Sequence, residues 1–336
     1  MSLETVWFCI IAVFWTGYLF LEGFDFGVGM LLPVLGRNDT ERRVMVNTIG
    51  PVWDGNEVWL IVAAGATFAA FPAWYASLFS GAYLPLLLVL LALIGRGVAF
   101  DYRGKVDSLR WRRNWDRLIM LGSWLPSFGV GLLLATTTLG LPLNARGDRV
   151  GSGFSAVRWD TVLGGVAVVG FALVHGAVFL ALKTEGELRE RARKLALRLL
   201  PVALLPMLAY LIVVQSSRAG SVWTVLPIIV AFAAGPVAWW RLAKGREGQA
   251  FAALGVLITT SLVAVFGALY PDVLPSTVDA ANSLTITNAS SSPYTLTVMT
   301  WVAGLGAPAV LIYQGWTYWV FRKRIGTHHI PPVHVP

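Results

Sequence analysis

Long apolar runs separated by short loops constrain this chain more than any other feature of its sequence. A hydrocarbon core about 30 Å thick needs roughly 20 apolar residues per helix, and nine runs approach or exceed that length. We therefore predict an all-α polytopic membrane protein with nine transmembrane helices, in which residues 1–336 form a single integral membrane domain. The predicted spans are 5–35, 51–73, 76–100, 118–141, 161–182, 196–215, 222–240, 250–270 and 294–321.

The composition agrees with membrane insertion and argues against a nucleic-acid-binding protein. Hydrophobic residues make up 56% of the chain and charged residues only 13%, with a mean hydropathy of +0.67. A water-soluble domain of this length could not hide so much apolar surface in one core. The formal net charge of +8 would suggest nucleic acid in a soluble protein. Here, however, the basic residues lie between the apolar runs, where they act as orientation signals and contact lipid headgroups.

The loops alternate between rich and poor in Lys and Arg, which predicts the orientation. Of the 26 basic residues, 21 fall in the alternate segments 36–50, 101–117, 183–198, 241–249 and 322–336. The opposite side holds four, namely Arg146, Arg149, Arg158 and Arg218. The positive-inside rule then places the N-terminus outside and the C-terminus in the cytoplasm of a bacterial-type inner membrane. The first residues carry neither a positive segment nor a cleavage site, so no removable signal peptide is expected.

Charged side chains within spans are costly and are therefore the candidate functional residues. The first span carries Glu22 and Asp25, the second opens with Asp54 and Glu57, and the third holds Arg96. Within each acidic pair, a spacing of three residues puts both carboxylates on one helix face. At a rise of about 1.5 Å per residue, Asp25, Asp54 and Arg96 lie at broadly similar depths.

Two interpretations of these charges remain open. One is a structural ion pair that lets the helices dock. The other is a proton inlet from the cytoplasm, in which buried carboxylates near Arg96 pass protons inward.

Metal and haem ligands are scarce. Cys9 is the lone cysteine, so a disulfide, a CxxC pair and a CxxCH haem attachment are all impossible within this chain. His175 is the one histidine inside a span, while His328, His329 and His334 lie in the C-terminal tail. A single intramembrane histidine can be an axial haem ligand, but it is more often a packing residue. We therefore predict no metal site and treat His175 as a weak haem candidate.

The chain also shows a weak internal repetition. The first and fifth spans each lead into a charged loop, GRNDTERR (36–43) and KTEGELRER (183–191), four spans apart. This spacing fits two four-helix bundles plus a ninth helix. Any helix that leaves the membrane into charged residues would produce the same pattern, so the repeat stays open. Gly23, Gly27 and Gly29 form a small-residue face that predicts close helix packing.

Several motifs along the chain resemble those of subunit II of the cytochrome bd family of quinol oxidases. They run in family order from the first helix to the ninth, whereas residues 195–270 carry little signature. The motifs are GFDFGVGML (23–31), GRNDTERR (36–43), WDGNEVWLI (53–61), FDYR (100–103) following Arg96, RWRRNWD (110–116), KTEGEL (183–188) and LTVMTW (296–301).

This resemblance implies a nine-helix subunit paired with a larger subunit I of similar fold. Subunit I would carry haem b and haem d and the quinol site, and the pair would oxidise menaquinol or ubiquinol and reduce O2 to water. The family's polar route through subunit II is compatible with Asp25, Asp54 and Arg96 here. His175 matches no haem ligand of the family. Whether a structural quinone or a lipid sits between the bundles is left open.

Two other functions are compatible with parts of the sequence. A purely structural assembly subunit of the same complex would need no proton transfer. A secondary transporter would also have many helices and intramembrane charges, but the chain shows no pair of Gly/Pro-broken helices in corresponding halves.

Overall fold

A computed structural model describes residues 1–218 and 221–330, and the folded chain is almost entirely helical. His334 and the predicted cytoplasmic terminus at Pro336 lie outside the described residues. The α-helices are α1 (Leu3–Leu35), α2 (Asp39–Ile49), α3 (Trp53–Ala70), α4 (Pro72–Gly81), α5 (Tyr83–Tyr102), α6 (Leu109–Leu139), α7 (Trp159–Lys183), α8 (Gly186–Ala203), α9 (Leu205–Ser217), α10 (Val222–Ala243), α11 (Glu247–Leu269) and α12 (Pro293–Val320). A short antiparallel pair, β1 (Asp272–Leu274) and β2 (Leu284–Thr285), lies between α11 and α12.

Eight segments of the described chain are long and apolar enough to cross a membrane, so the all-α membrane fold is confirmed but the count of nine is not. One of the eight is formed by α8 and α9 together, which run from Gly186 to Ser217. The predicted second span corresponds to α3, which has only 18 residues and begins with the polar turn Trp53-Asp54-Gly55-Asn56-Glu57. Those polar residues lower its mean hydropathy; Asn56 is buried, Glu57 is half-buried and Asp54 is exposed.

Several boundaries differ from the predicted spans. The second span was expected to continue to residue 73, but α3 ends at Ala70, and Pro72 begins the separate helix α4. Proline is favoured in a first helical turn, where its missing N–H costs nothing. The third span accordingly begins at Tyr83 rather than at residue 76. The loop expected over 36–50 contains α2, and the N-cap residue before it, Asn38, accepts a hydrogen bond from the Glu41 backbone N–H at 2.8 Å.

The spans pack in two groups with α12 at the side. Helices α1, α3, α5 and α6 form the first group and α7 to α11 the second, with α1 and α6 both packing on α7. Gly27 of α1 lies against Gly176 of α7, so closely that a Cβ at Gly27 would fall 2.0 Å from the Ala172 carbonyl oxygen. The predicted small-residue face is therefore a true helix–helix contact. By contrast, only 6% of the most apolar window of α12 is buried.

The basic loops come together at one end of the molecule, called here the charged end. A cluster of ion pairs holds this end together. Arg103 donates to Asp116 at 2.6 Å and to Asp39 at 2.8 Å, and Arg42 donates to Asp116 at 3.1 Å. These bonds fix α2 on the turn between α5 and α6. The charged residues of the GRNDTERR and RWRRNWD motifs thus have a structural role at the charged end.

Candidate functional site

A buried polar cluster lies where α1, α3, α5 and α12 meet. Its core consists of Glu22, Asp25, Asn56 and Arg96, and each of these residues has 0% of its surface exposed. Such complete burial of charged groups inside a membrane protein is costly unless the groups pair with one another. The hydrogen bonds and ion pairs of these residues therefore indicate the role of the cluster.

Arg96 pairs with Glu22. One terminal nitrogen of the guanidinium, Nη1, donates to Glu22 Oε1. The guanidinium carbon also lies 4.9 Å from the centroid of the Phe26 ring and 5.3 Å from that of Phe100. The aromatic faces give the cation further electrostatic stabilisation. Gly122 of α6 allows this arrangement, because a Cβ there would lie 2.6 Å from Arg96 Cβ.

Asp25 is held by an amide. Its Oδ2 accepts a hydrogen bond from Asn56 Nδ2 at 2.7 Å. The Asn56 carbonyl oxygen in turn accepts from Tyr318 at 2.7 Å and from Gln314 at 3.3 Å, both on α12. Gln314 Oε1 accepts from Trp59 Nε1 at 2.9 Å. One asparagine thus links the buried carboxylate of α1 to the otherwise loosely packed α12.

Five buried polar atoms of this region have no hydrogen-bond partner within the described residues. They are Tyr18 Oη, Glu22 Oε2, Asp25 Oδ1, Arg96 Nε and Arg96 Nη2. A buried polar atom without a partner costs free energy comparable to a lost hydrogen bond. Because the orphaned atoms include both donors and acceptors, the cluster suits ordered water that bridges them.

The structure separates the predicted site residues into two sets. Glu22, Asp25 and Arg96 lie in the buried cluster, but Arg96 pairs with Glu22. Asp54 is exposed in the first turn of α3, where its Oδ1 accepts the Gly55 N–H at 2.7 Å. Glu57 is half-buried, one turn further along α3. Asp54 lies nearer the end of its helix than predicted, because α3 begins at Trp53 rather than at residue 51.

Sequence reasoning missed the neutral members of the cluster, Tyr18, Asn56, Gln314 and Tyr318. None of these four residues carries a charge, the property that marked the candidate residues in the sequence. Asn56 lies between Asp54 and Glu57 in the WDGNEVW motif, and Tyr18 lies four residues before Glu22 on the same helix face. Their identification from sequence would have required a search for polar residues that lie about one helical turn from an intramembrane charge.

His175 occupies an aromatic box. Its ring stacks on Phe251 at a centroid distance of 4.4 Å and on Phe171 at 4.9 Å. The rings of Phe20 and Phe24 lie at 5.3 and 5.9 Å, and Nε2 is 3.0 Å from the Phe20 carbonyl oxygen. An axial haem ligand must direct a ring nitrogen at the iron, with room for the macrocycle. Both ring faces of His175 are covered and Nδ1 is buried, so the residues around it do not fit a haem.

The fold and this cluster define a multi-pass helical membrane protein with an internal group of carboxylates and arginine. Comparison with known proteins identifies its family. The family model for cytochrome bd terminal oxidase subunit II matches residues 3–321. The chain belongs to this family, whose members are subunits of an oxidoreductase complex.

Named relatives agree along almost the whole length. Cytochrome bd ubiquinol oxidase subunit 2 of Bacillus subtilis (strain 168) is 42% identical over 329 residues, covering 96% of this chain and 97% of the relative. Cytochrome bd-I ubiquinol oxidase subunit 2 of Escherichia coli (strain K12) is 35% identical over 370 residues, covering 96% and 95%. A chain of the bd oxidase structure from Geobacillus thermodenitrificans has the same fold, with a TM-score of 0.75, 20% identity and coverage of 96% of this chain and 100% of that one.

Proposed function

We propose that this chain, acting as one membrane domain, supports a haem-bearing subunit I in a quinol oxidase and contributes a proton route from the cytoplasm. The relatives named above are ubiquinol oxidase subunits, which supports quinol, either menaquinol or ubiquinol, as the electron donor and O2 as the acceptor. Haem b and haem d are assigned to subunit I, because the surroundings of His175 do not fit a haem. If this assignment is correct, the chain expressed alone shows no haem absorbance. Stoichiometric haem that is lost in His175→Ala would contradict it.

The observation that carries the proton route is a graded series of carboxylates. Asp54 is exposed at the start of α3, Glu57 is half-buried, and Glu22 and Asp25 are fully buried. A proton taken up at Asp54 meets Glu57 three residues further along the same helix face. From there the orphaned oxygens of Glu22 and Asp25 offer the next acceptors, with bridging water as the connection.

Arg96 and Asn56 have positioning roles in this route. The guanidinium balances the charge of Glu22, so that the buried region need not hold several uncompensated carboxylates. The Asn56 amide holds one oxygen of Asp25 and leaves the other oxygen without a protein partner. That second oxygen is the atom placed to accept and release a proton.

Substitution of the carboxylates in the intact two-subunit complex tests the route. We expect Asp25→Asn to assemble with normal haem absorbance and to lose quinol oxidase activity by about 100-fold or more, the scale of general acid–base effects. Asp54→Asn should also assemble and lose activity. The matched control is Asp101→Asn, an exposed aspartate at the end of α5, which should leave activity unchanged.

Two outcomes would reject the relay. If Asp25→Asn and Asp54→Asn both turn over at the unmodified rate, protons do not pass here. If haem content and assembly fall together with activity, the cluster is a structural ion pair and the chain is a scaffold. The buried Glu22–Arg96 pair is the observation that favours this second function.

A further inference from the structure

An apolar cavity of about 410 Å³ lies between α8, α9, α10 and α11, away from the polar cluster. Its walls are formed almost entirely by aliphatic and aromatic side chains, and the hydroxyl of Ser261 is buried deep within it. Trp239 lines the cavity toward the charged end, and its Nε1 is already satisfied by the Leu197 carbonyl oxygen at 3.1 Å. The cavity is therefore an apolar slot whose volume is comparable to that of one lipid acyl chain.

Uncompensated cations lie above this slot at the charged end. We define the basic rim as Lys194, Arg198, Arg241 and Lys244. None of these four makes an ion pair within residues 1–218 and 221–330, whereas neighbouring arginines such as Arg189 are paired. The rim thus presents positive charge that no carboxylate of the described chain neutralises.

The rim and the slot are continuous. Lys194, Arg198, Pro201 and Leu205 are spaced by four, three and four residues, so they follow one face of α8 and the start of α9. Pro201 and Leu205 line the slot. A helical rise of about 1.5 Å per residue puts the Arg198 backbone only about 5 Å above that of Pro201.

The second half of the rim lies at the C-terminal end of α10. Arg241 and Lys244 both lie over the Trp240 ring, at 4.5 and 4.0 Å from its centroid. Trp240 itself is 44% exposed, as expected of an aromatic residue at a membrane interface. The Trp239–Leu197 hydrogen bond joins α10, which carries Arg241, to α8 at the residue next to Arg198.

We propose that this slot and its basic rim bind an anionic phospholipid, with one acyl chain in the slot and the phosphate headgroup on the rim. Charge complementarity selects the occupant: a zwitterionic lipid would bring no net negative charge to four unpaired cations. Basic pockets between membrane helices are known to hold anionic headgroups in this way. Apolar walls alone would fit any acyl chain, so the rim supplies the selectivity.

Native mass spectrometry of the intact, delipidated oxidase complex tests this site. The probes are phosphatidylglycerol and phosphatidylcholine with identical acyl chains. We expect phosphatidylglycerol to bind the unmodified complex more tightly. Arg198→Gln combined with Lys244→Gln should weaken phosphatidylglycerol binding by roughly 10- to 30-fold and leave phosphatidylcholine binding unchanged. Arg198→Lys combined with Lys244→Arg keeps both charges and should preserve the preference.

Two further variants distinguish binding of the headgroup from binding of the acyl chain, and binding at this site from binding elsewhere on the protein surface. Gly235→Leu places a side chain in the slot, where a Cβ at Gly235 would lie 3.8 Å from Leu204 and 3.9 Å from Leu257, and it should weaken both lipids. Lys105→Gln with Arg110→Gln removes the same charge from exposed positions elsewhere on the charged end and should have no effect. Inorganic phosphate should not displace the lipid, because it lacks the chain.

Several results would overturn the proposal. Equal binding of the two lipids to the unmodified complex would show that the site does not select an anionic headgroup. Equal effects of the rim variants and the surface variants on phosphatidylglycerol binding would show that the rim is not the binding site. Displacement by inorganic phosphate would make the rim a simple anion site. A co-purifying quinone that Gly235→Leu removes and the rim variants retain would make the slot a quinone site.

Discussion

Arg96 and Glu22 show how one residue pair can decide the role of the whole cluster. Both side chains are completely buried and bonded to each other. Removing one partner of a buried pair strands the other charge, at a cost of about 3–5 kcal/mol, whereas replacing both by apolar side chains is often tolerated. Stability and proton transfer therefore respond differently to single and double substitution.

We expect Arg96→Met and Glu22→Gln each to lower the thermal midpoint of the purified complex. Arg96→Met should be the more severe, because Met donates no hydrogen bond to Glu22, whereas a Gln side chain keeps an oxygen that can accept from Arg96. The double variant Glu22→Leu with Arg96→Met should recover much of that loss while quinol oxidase activity stays low. Tryptophan fluorescence during heating measures the midpoint, and Arg113→Met, at an exposed position, is the control. A double variant that regains full activity would show that the pair has a structural role only.

At the scale of an element, α2 illustrates how a charged motif becomes a docked helix. Glu41 accepts the Arg37 backbone N–H at 2.8 Å and pairs with Arg191 of α8 at 2.7 Å. Burial alone would raise the pKa of Glu41, but the hydrogen bonds from Arg191 and Arg37 outweigh it and lower the pKa below its usual value of 4.5. A carboxyl group with a lowered pKa stabilises the fold above its unfolded pKa, and that stability is lost as the pH falls through the folded pKa.

Glu41→Gln should therefore lower the thermal midpoint at pH 7 by roughly 2–4 °C and reduce the further loss between pH 7 and pH 4. Thermal unfolding of the complex at both pH values measures this difference. Glu187→Gln, which alters a side chain that is 84% exposed, should behave like the unmodified protein at both. An unchanged pH dependence in Glu41→Gln would mean that Glu41 does not anchor α2 through its charge.

At the scale of the whole molecule, the structure brings the basic segments to one end and the segments around 141–158 and 271–292 to the other. At that second end Leu141 bridges to Ser276, and Arg218 pairs with Asp272. The positive-inside rule predicts that the charged end faces the cytoplasm.

Reporter fusions test this orientation in the intact cell. A cytoplasm-active reporter should function when fused after Pro336 or inserted at Gly104, and a reporter active outside should function when inserted at Gly151. These sites are at a chain terminus or in exposed turns. Activity on the opposite side at any of the three sites would contradict the proposed topology.

Periodic and compositional properties of the sequence were enough to predict the membrane class and most spans, and the resemblance of its motifs was enough to predict the family. Apolar run length, loop charge and the small-residue face of α1 are local properties, because lipid and neighbouring backbone impose them wherever the chain goes. The buried positions of Glu22, Asp25 and Arg96 also followed from sequence, since a charge inside an apolar run must find a partner.

Only the tertiary structure decided which partners those charges have. Arg96 bonds to Glu22, Asn56 bonds to Asp25, and Asp54 stays at the surface, because helix ends and helix rotation set which atoms meet. Because α3 begins at Trp53, Asp54 is exposed in its first turn while Asn56 contacts Asp25. Hydrogen bonds act over about 3 Å, so they depend on the three-dimensional arrangement that sequence patterns do not specify.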